Sequence, residues 1–363
     1  MINYYFISSP FHLFLSCNLA IENSQDENIA IVVPKITKSS NLSDTYTRML
    51  SNATGIFTDF VSFERININQ PLRSKYSERK FRFQQLKKLL QEKSVDRIYT
   101  GNDRRVEFQY SMLIAKRNNS KLEGIYLDEG MATYLGHKSM HSIQHRYIDP
   151  FLKKIFYGWW WKNPITIGSS SWIDKIYAAF PNFIHPSLLN KNILSINHDH
   201  FSNHTFTDFC KKINFENGIN IKEVEGYKLL IVLTHESFYP NGYSHIKDLI
   251  NKAKQFVKEG AIAIKAHPRS ECFDNIKSDF PDCKHVSHRI GFEMLLPILS
   301  SDCMVVGDVS TAVFTTRWLR PKLSVIAVKI EDEKRAFIHQ ELSELYKKIE
   351  VPLVSMNGNW FTK

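Results

Sequence analysis

The chain has 363 residues, 43% of them hydrophobic and 13% aromatic, which is enough for two sizeable cores rather than one. No apolar run reaches the roughly eighteen residues of a membrane-spanning helix, so none is expected, and residues 1–7 read as a first strand rather than a secretory signal. The net charge of +10 favours anionic partners, while five scattered cysteines without a C-x-x-C pair argue against a disulfide framework or a zinc site and for buried reduced thiols.

In chain order, residues 2–8 read as a strand and Ser8-Ser9-Pro10-Phe11-His12 as the loop after it. Pro10 suits the first turn of a helix, which residues 13–21 continue. A strand, a serine-rich loop and a helix start make a good anion cradle, where His12 either touches a ligand or belongs to a capping loop. Residues 29–33 are a second strand. Residues 46–50 and 79–90 look helical, the latter amphipathic through Phe81, Phe83, Leu86, Leu89 and Leu90.

A strand at 97–100 ends in Gly101-Asn-Asp-Arg-Arg105, a helix covers 106–115, and the strand at 122–127 stops at Asp128, Glu129 and Gly130. This alternation predicts a parallel sheet with helices on both faces, the loops at 8–12, 100–105 and 128–134 sharing one edge. Two adjacent carboxylates cannot both sit in a dry core unpaired. One must face a cleft or a cation, or cap a helix, and both are satisfied if Asp128 is structural and Glu129 chemical. Gly130 lets the backbone turn sharply and brings the loop close to a substrate.

From 147 to 161 the composition becomes aromatic and basic, ending in Trp159-Trp-Trp161. That suits a membrane interface, single-stranded nucleic acid or an aromatic wedge packed between domains. His198, His200, His204 and Asp199 read as loop surface rather than as a metal site. Residues 191–226 are polar and Asn-rich, a linker region with a short helix at 206–213.

A second alternating unit follows. A strand at 227–233 ends in Thr234-His-Glu-Ser237, a helix runs over 245–259 with Gly260 just past its end, and a strand at 261–266 leads into His267-Pro268-Arg269. Residues 292–299 are predicted helical, 303–306 a strand, 312–319 a helix, 323–328 a strand and 331–349 a charged helix. Pro268 fixes the backbone after His267, and Lys265 and Arg269 flank it with positive charge. Gly307-Asp-Val-Ser-Thr311 ends a neighbouring strand and opens a helix, so hydroxyls and backbone N–H groups can converge on a phosphate.

Leu127-Asp-Glu-Gly130, Lys265-Ala-His-Pro268 and Ser310-Thr311 resemble, in order and placement, the three motifs of bacterial sialyltransferases: acidic-acidic-Gly, His-Pro and Ser-Ser/Thr. The contexts Asp-Glu-Gly-x-x-Thr-Tyr and Ile-Lys-x-His-Pro look most like the capsular polysialyltransferases, and the third motif departs from the pattern in having Ala312 next. The two halves then imply an α/β fold of the GT-B glycosyltransferase type, two Rossmann-like domains facing across a cleft. Residues 1–190 would bind acceptor, 191–226 would link, and 227–363 would bind the CMP-sugar donor.

The resemblance implies inverting transfer of sialic acid from CMP-sialic acid. Glu129 would be the general base, Asp128 would orient its loop or share the role, and His267 would protonate the departing phosphate. Ser310 and Thr311 would hold the phosphate oxygens, with Lys265, Pro268, Thr234, Glu293 and Gly130 completing the donor site. Arg73, Lys75, Arg79, Arg82, Arg104 and Arg105, with His12, would draw an anionic oligo- or polysialic acid acceptor. No Asp-x-Asp motif with a donor loop is present, so no metal and no cofactor is expected. The partners expected are donor and acceptor, with the inner membrane or the capsule export complex as a peripheral contact on the cytoplasmic face and no nucleic acid. The alternatives are a lipooligosaccharide monosialyltransferase and a non-catalytic polyanion-binding protein.

Overall fold

The computed structural model describes residues 1–33, 50–51, 53, 55–63, 72–136, 148–239, 241–267, 270–287, 290–308, 310–329 and 336–360. The chain divides into two compact units, Met1–His200 and Phe201–Lys363.

In the first unit, β1 (Ile2–Ile7) leads directly into α1 (Pro10–Glu22), followed by β2 (Glu27–Val32), β3 (Asp59–Ser62), α2 (Leu72–Glu92) and β4 (Arg97–Thr100). Next come α3 (Val106–Asn118), β5 (Glu123–Leu127), α4 (Met131–Leu135), α5 (Asp149–Tyr157), β6 (Lys175–Ala178) and β7 (Asn192–Ser195). The seven strands form one sheet in the order β3-β2-β1-β4-β5-β6-β7, every pair parallel. Strand order reverses between β1 and β4, which places the ligand-binding edge of such a sheet over the loops after these two strands. Tyr5 of β1 stacks on Tyr99 of β4 at 4.4 Å across that switch point, and both are buried.

In the second unit the order is α6 (His204–Glu216), α7 (Ile221–Glu225), β8 (Leu229–Val232), α8 (Tyr243–Lys254), β9 (Ile262–Lys265), α9 (Phe273–Asp279) and β10 (Lys284–Val286). Then follow β11 (Met304–Gly307), α10 (Thr311–Leu319), β12 (Val325–Lys329), α11 (Ala336–Lys348) and β13 (Leu353–Ser355). The sheet runs β10-β9-β8-β11-β12-β13, again all parallel, with its reversal between β8 and β11. Its core is aliphatic, built on Leu229, Ile231, Ile264, Val306 and Ile326.

Several expectations change. Residues 191–226 are folded rather than a linker: 192–195 are the edge strand β7 of the first sheet, and α6 buries Phe206, Phe209, Cys210 and Ile213 in the second unit. Their polarity is that of an edge strand and of an amphipathic helix's outer face. Helix α8 stops at Lys254, and Gly260 sits in a separate short turn at 259–261. Residues 292–299 form two one-turn 3-10 segments, because Pro297 cannot donate the backbone hydrogen bond that a continuous helix needs there. The helix expected at 46–50 lies outside the described residues except for its last position, as do residues 331–335. All five cysteines are buried free thiols. Among the described residues, no helix is long and apolar enough to cross a membrane.

Candidate active site

The loops after β1, β4 and β5 share the carboxyl edge of the first sheet. Ser9 caps α1, its hydroxyl accepting from the His12 backbone N–H at 3.1 Å, and Pro10 fills the first helical position. This capped start drops His12 beneath the edge with no exposed surface, so it is not placed to touch an acceptor directly. Its Nδ1 lies 3.0 Å from Ser8 Oγ and its Nε2 lies 3.7 Å from Glu129 Oε1. A side chain at Gly101 would sit about 2.1 Å from that Nε2, so glycine there makes room for the ring.

Asp128 and Glu129, adjacent in sequence, have separate fates. The Asp128 carboxylate is buried and fully employed: Oδ1 accepts from Gly130 N at 2.7 Å, and Oδ2 accepts from Ala179 N at 2.9 Å and from the Tyr134 hydroxyl. Burial pushes its carboxyl above the usual range, although those donors favour the charged form. Gly130 adopts φ 73° and ψ −132° at the start of α4, a region that disfavours any side chain. Glu129 is pinned by its backbone, whose N–H donates to Thr133 Oγ1 at 3.1 Å, while Thr133 Oγ1 also lies 3.0 Å from the Tyr126 hydroxyl. Its side chain is 19% exposed and its Oε2 has no hydrogen-bond partner among the described residues. One carboxylate builds the loop; the other is only partly exposed, with its unpartnered Oε2 buried.

The predicted acceptor stripe is largely an internal ion-pair cluster. Arg82 is only 3% exposed and pairs with buried Glu107 at 3.3 Å, while Arg105 approaches the same carboxylate at 3.6 Å. Arg79 is engaged by Tyr157, donating to its hydroxyl with the guanidinium 5.3 Å from the ring centroid. Arg104 sits in the β4 loop, where its backbone N–H donates to Asn102 Oδ1 at 3.0 Å. The side chains of Arg73 and Lys75 lie outside those described. Polarity misled here because a buried carboxylate on α3 needs cations around it.

Burial would push the Glu107 carboxyl up, but Arg105, Arg79 and Arg82 hold it below the usual carboxylate value. Its stabilising contribution is therefore complete above about pH 4.3 and is lost as pH falls through the folded-state value. Arg82→Met should cost about 3 kcal/mol in denaturant unfolding and raise the pH of acid unfolding, since breaking a buried pair strands its partner. An unchanged unfolding curve would contradict the pairing.

In the second unit, the loops after β8, β9 and β11 are tied into one edge. Buried Asp308 accepts from Thr234 Oγ1 and, at 2.8 Å, from the Tyr239 hydroxyl, which itself accepts from Thr234 N at 3.2 Å. Thr234 thus spends its proton on Asp308 rather than on a nucleotide. Glu236 Oε1 accepts from Glu271 N at 2.6 Å, linking the β8 loop to the segment after His267. His267 is half-buried at the end of β9, edge-on to His235 at 5.6 Å. Ser310 takes the N-cap position of α10, yet its side chain makes no capping bond and its buried Oγ has no hydrogen-bond partner among the described residues. Thr311 is the first helical residue. The Ser310 hydroxyl lies near the buried Asp308 carboxyl, which burial raises and this hydroxyl helps to lower, at a helix N-terminus of the kind that can receive an anion.

Lys265 departs from its expected role. It is buried under the edge, donates to Ala266 O at 3.2 Å, and desolvation lowers its ammonium to about 8, partly offset by Glu293. Glu293 is half-buried, its carboxyl raised by desolvation and lowered in part by the Lys265 charge. Pro268 and Arg269 lie outside the described residues. Sequence reading missed Asp103, whose buried carboxylate accepts from Gly168 N at 2.9 Å and Ser170 N at 2.8 Å, and the clamps Asp308 and Tyr239. Among the described residues no group of three or more His, Cys, Asp or Glu side chains converges as a metal site.

The tryptophans divide their work. Trp161 is fully buried, Trp160 packs with Phe83 and Tyr110, and Trp159 is 78% exposed. Helix α5 exposes Phe151, Leu152, Ile155 and Phe156.

A family model described as Alpha-2,8-polysialyltransferase (POLYST) matches residues 3–329. Among solved structures, the α/β-galactoside α-2,3-sialyltransferase of Photobacterium phosphoreum is similar, with 16% identity, TM-score 0.61, and coverage of 97% of this chain and 98% of that one. The GT-B domain of a Photobacterium damselae sialyltransferase, residues 113–497, gives 14% identity and TM-score 0.58, covering 98% of this chain and all of that one. At such identity the likeness shows the fold, which is GT-B. No curated protein matches the chain.

Proposed function

The chain belongs to the alpha-2,8-polysialyltransferase family, and from that premise we propose that it moves sialic acid from CMP-sialic acid to the non-reducing end of a sialylated acceptor, with inversion, to build capsular polysialic acid. That it is a glycosyltransferase follows from the family; donor, acceptor and product are our reading. The observation that carries it is Glu129, a carboxylate presented at the strand edge with one oxygen unpartnered while its neighbour is wholly employed in the loop.

Glu129 takes the proton of the acceptor hydroxyl as its oxygen bonds to the anomeric carbon of sialic acid. The bond from that carbon to the CMP phosphate breaks, its electrons pass to the phosphate oxygen, and His267 supplies a proton there. Ser310 Oγ and the N-terminus of α10 hold the phosphate. The transfer passes through an oxocarbenium-like state, which the Glu129 carboxylate also stabilises. Cationic groups and helix termini serve where other transferases use a metal, so chelation should leave the rate unchanged.

Incubation with CMP-sialic acid and an oligosialic acid primer tests the reading. A ladder of lengthened primers is expected; a single addition points to a monosialyltransferase, and no turnover of CMP-sialic acid at all overturns it.

Five buried reduced thiols fit the cytoplasmic side of the membrane. A peripheral contact with that membrane is supported by the exposed apolar side chains of α5 together with Trp159, Lys153 and Lys154. Vesicles containing anionic lipid should co-sediment the protein, and Phe151→Ser with Phe156→Ser should abolish this without loss of activity on a soluble primer. Equal sedimentation of variant and parent would exclude the patch.

A further inference from the structure

We propose that His12 is the positioning residue for Glu129, with Ser8 setting the tautomer of its ring; this rests on the reading of Glu129 as base. The three groups come from the loops after β1 and β5, more than a hundred residues apart in sequence, and meet beside the switch point of the first sheet. Ser8 Oγ lies 3.0 Å from Nδ1, and we assign it as the donor there, which puts the ring proton on Nε2. That nitrogen lies 3.7 Å from Glu129 Oε1. Nε2 is completely buried and has no hydrogen-bond partner among the described residues. A buried donor left unmade is costly, so its retention marks a bond that tightens when substrate fills the site. Gly101 is part of the device, since any larger residue would displace the ring.

With this bond the carboxylate is held in one orientation, as a third group orients the base in other proton-transfer sites.

His12→Asn keeps a group near Nδ1 for Ser8 and removes the one near Nε2, whereas His12→Gln places an amide N–H close to Nε2. In a primer-extension assay, His12→Asn should lower kcat roughly 10- to 100-fold, the worth of a hydrogen bond to a charged group, with KM for CMP-sialic acid nearly unchanged. His12→Gln should recover most of that loss, and Ser8→Ala, which leaves the ring in place, should show a smaller fall in kcat. Equal losses in His12→Asn and His12→Gln, or a His12→Asn variant that raises KM with kcat unchanged, would overturn the proposal. If Glu129→Gln is inactive while His12→Asn behaves as the parent, only this inference falls. If Glu129→Gln is active, the base assignment falls with it.

Discussion

Glu129→Gln is expected to lower the rate of sialyl transfer about 100- to 10,000-fold, the usual contribution of a positioned general base, while leaving the fold intact. The amide is close in size to the carboxylate and cannot take a proton. The one bond that anchors the residue to its loop runs from its backbone N–H to Thr133, so the substitution leaves it untouched. Asp128→Asn provides the contrast. Its carboxylate accepts from Gly130 N, Ala179 N and the Tyr134 hydroxyl, and an amide nitrogen facing those donors strands at least one of them in a buried place. That variant should lose stability along with activity, whereas Glu129→Gln should lose activity alone. Thermal unfolding measured beside initial rates separates the two, and a Glu129→Gln protein that turns over near the parental rate would remove Glu129 from the chemistry.

His267→Ala carries the second large effect, again about 100- to 10,000-fold in kcat. Without an imidazole at the end of β9, the phosphate departs with its developing charge answered only by Ser310 and the helix N-terminus. An interaction made chiefly in the transition state shows itself as an equal fall in kcat and kcat/KM, with donor affinity little altered. His235 packs edge-on against this ring at 5.6 Å, and its Nδ1 lies 2.9 Å from Ser237 Oγ. CMP release measured at saturating donor checks this; a variant that raises KM alone would make His267 a binding residue.

The sheet centres were legible because parallel strands buried on both faces are short apolar runs, as in β1, β5, β8 and β9. From strand alternation alone, the shared edge of the loops after β1, β4 and β5 followed. The edge strands β3, β7, β10 and β13 were not legible: each is three or four residues long and partly exposed, so neither length nor hydropathy separates it from a loop. The site divided in the same way. Glu129 and Ser310 stood out because they follow strands, but the groups that hold the loops are pairings across long separations. Asp103 reaches Gly168 and Ser170, and Thr234 reaches Asp308, contacts that no local pattern announces. Arg82 shows the opposite error, a charge read as surface that the fold turns inward onto Glu107.

In the proposed reaction Glu129, on the first sheet, and His267, on the second, act in one turnover. Primer extension by Glu129→Gln, His267→Ala and the double variant, run side by side with CMP-sialic acid, tests it most directly. Residues that act as a unit are strongly non-additive, so the double variant should be little slower than the slower single variant. Either single variant extending primer at close to the parental rate would contradict the account.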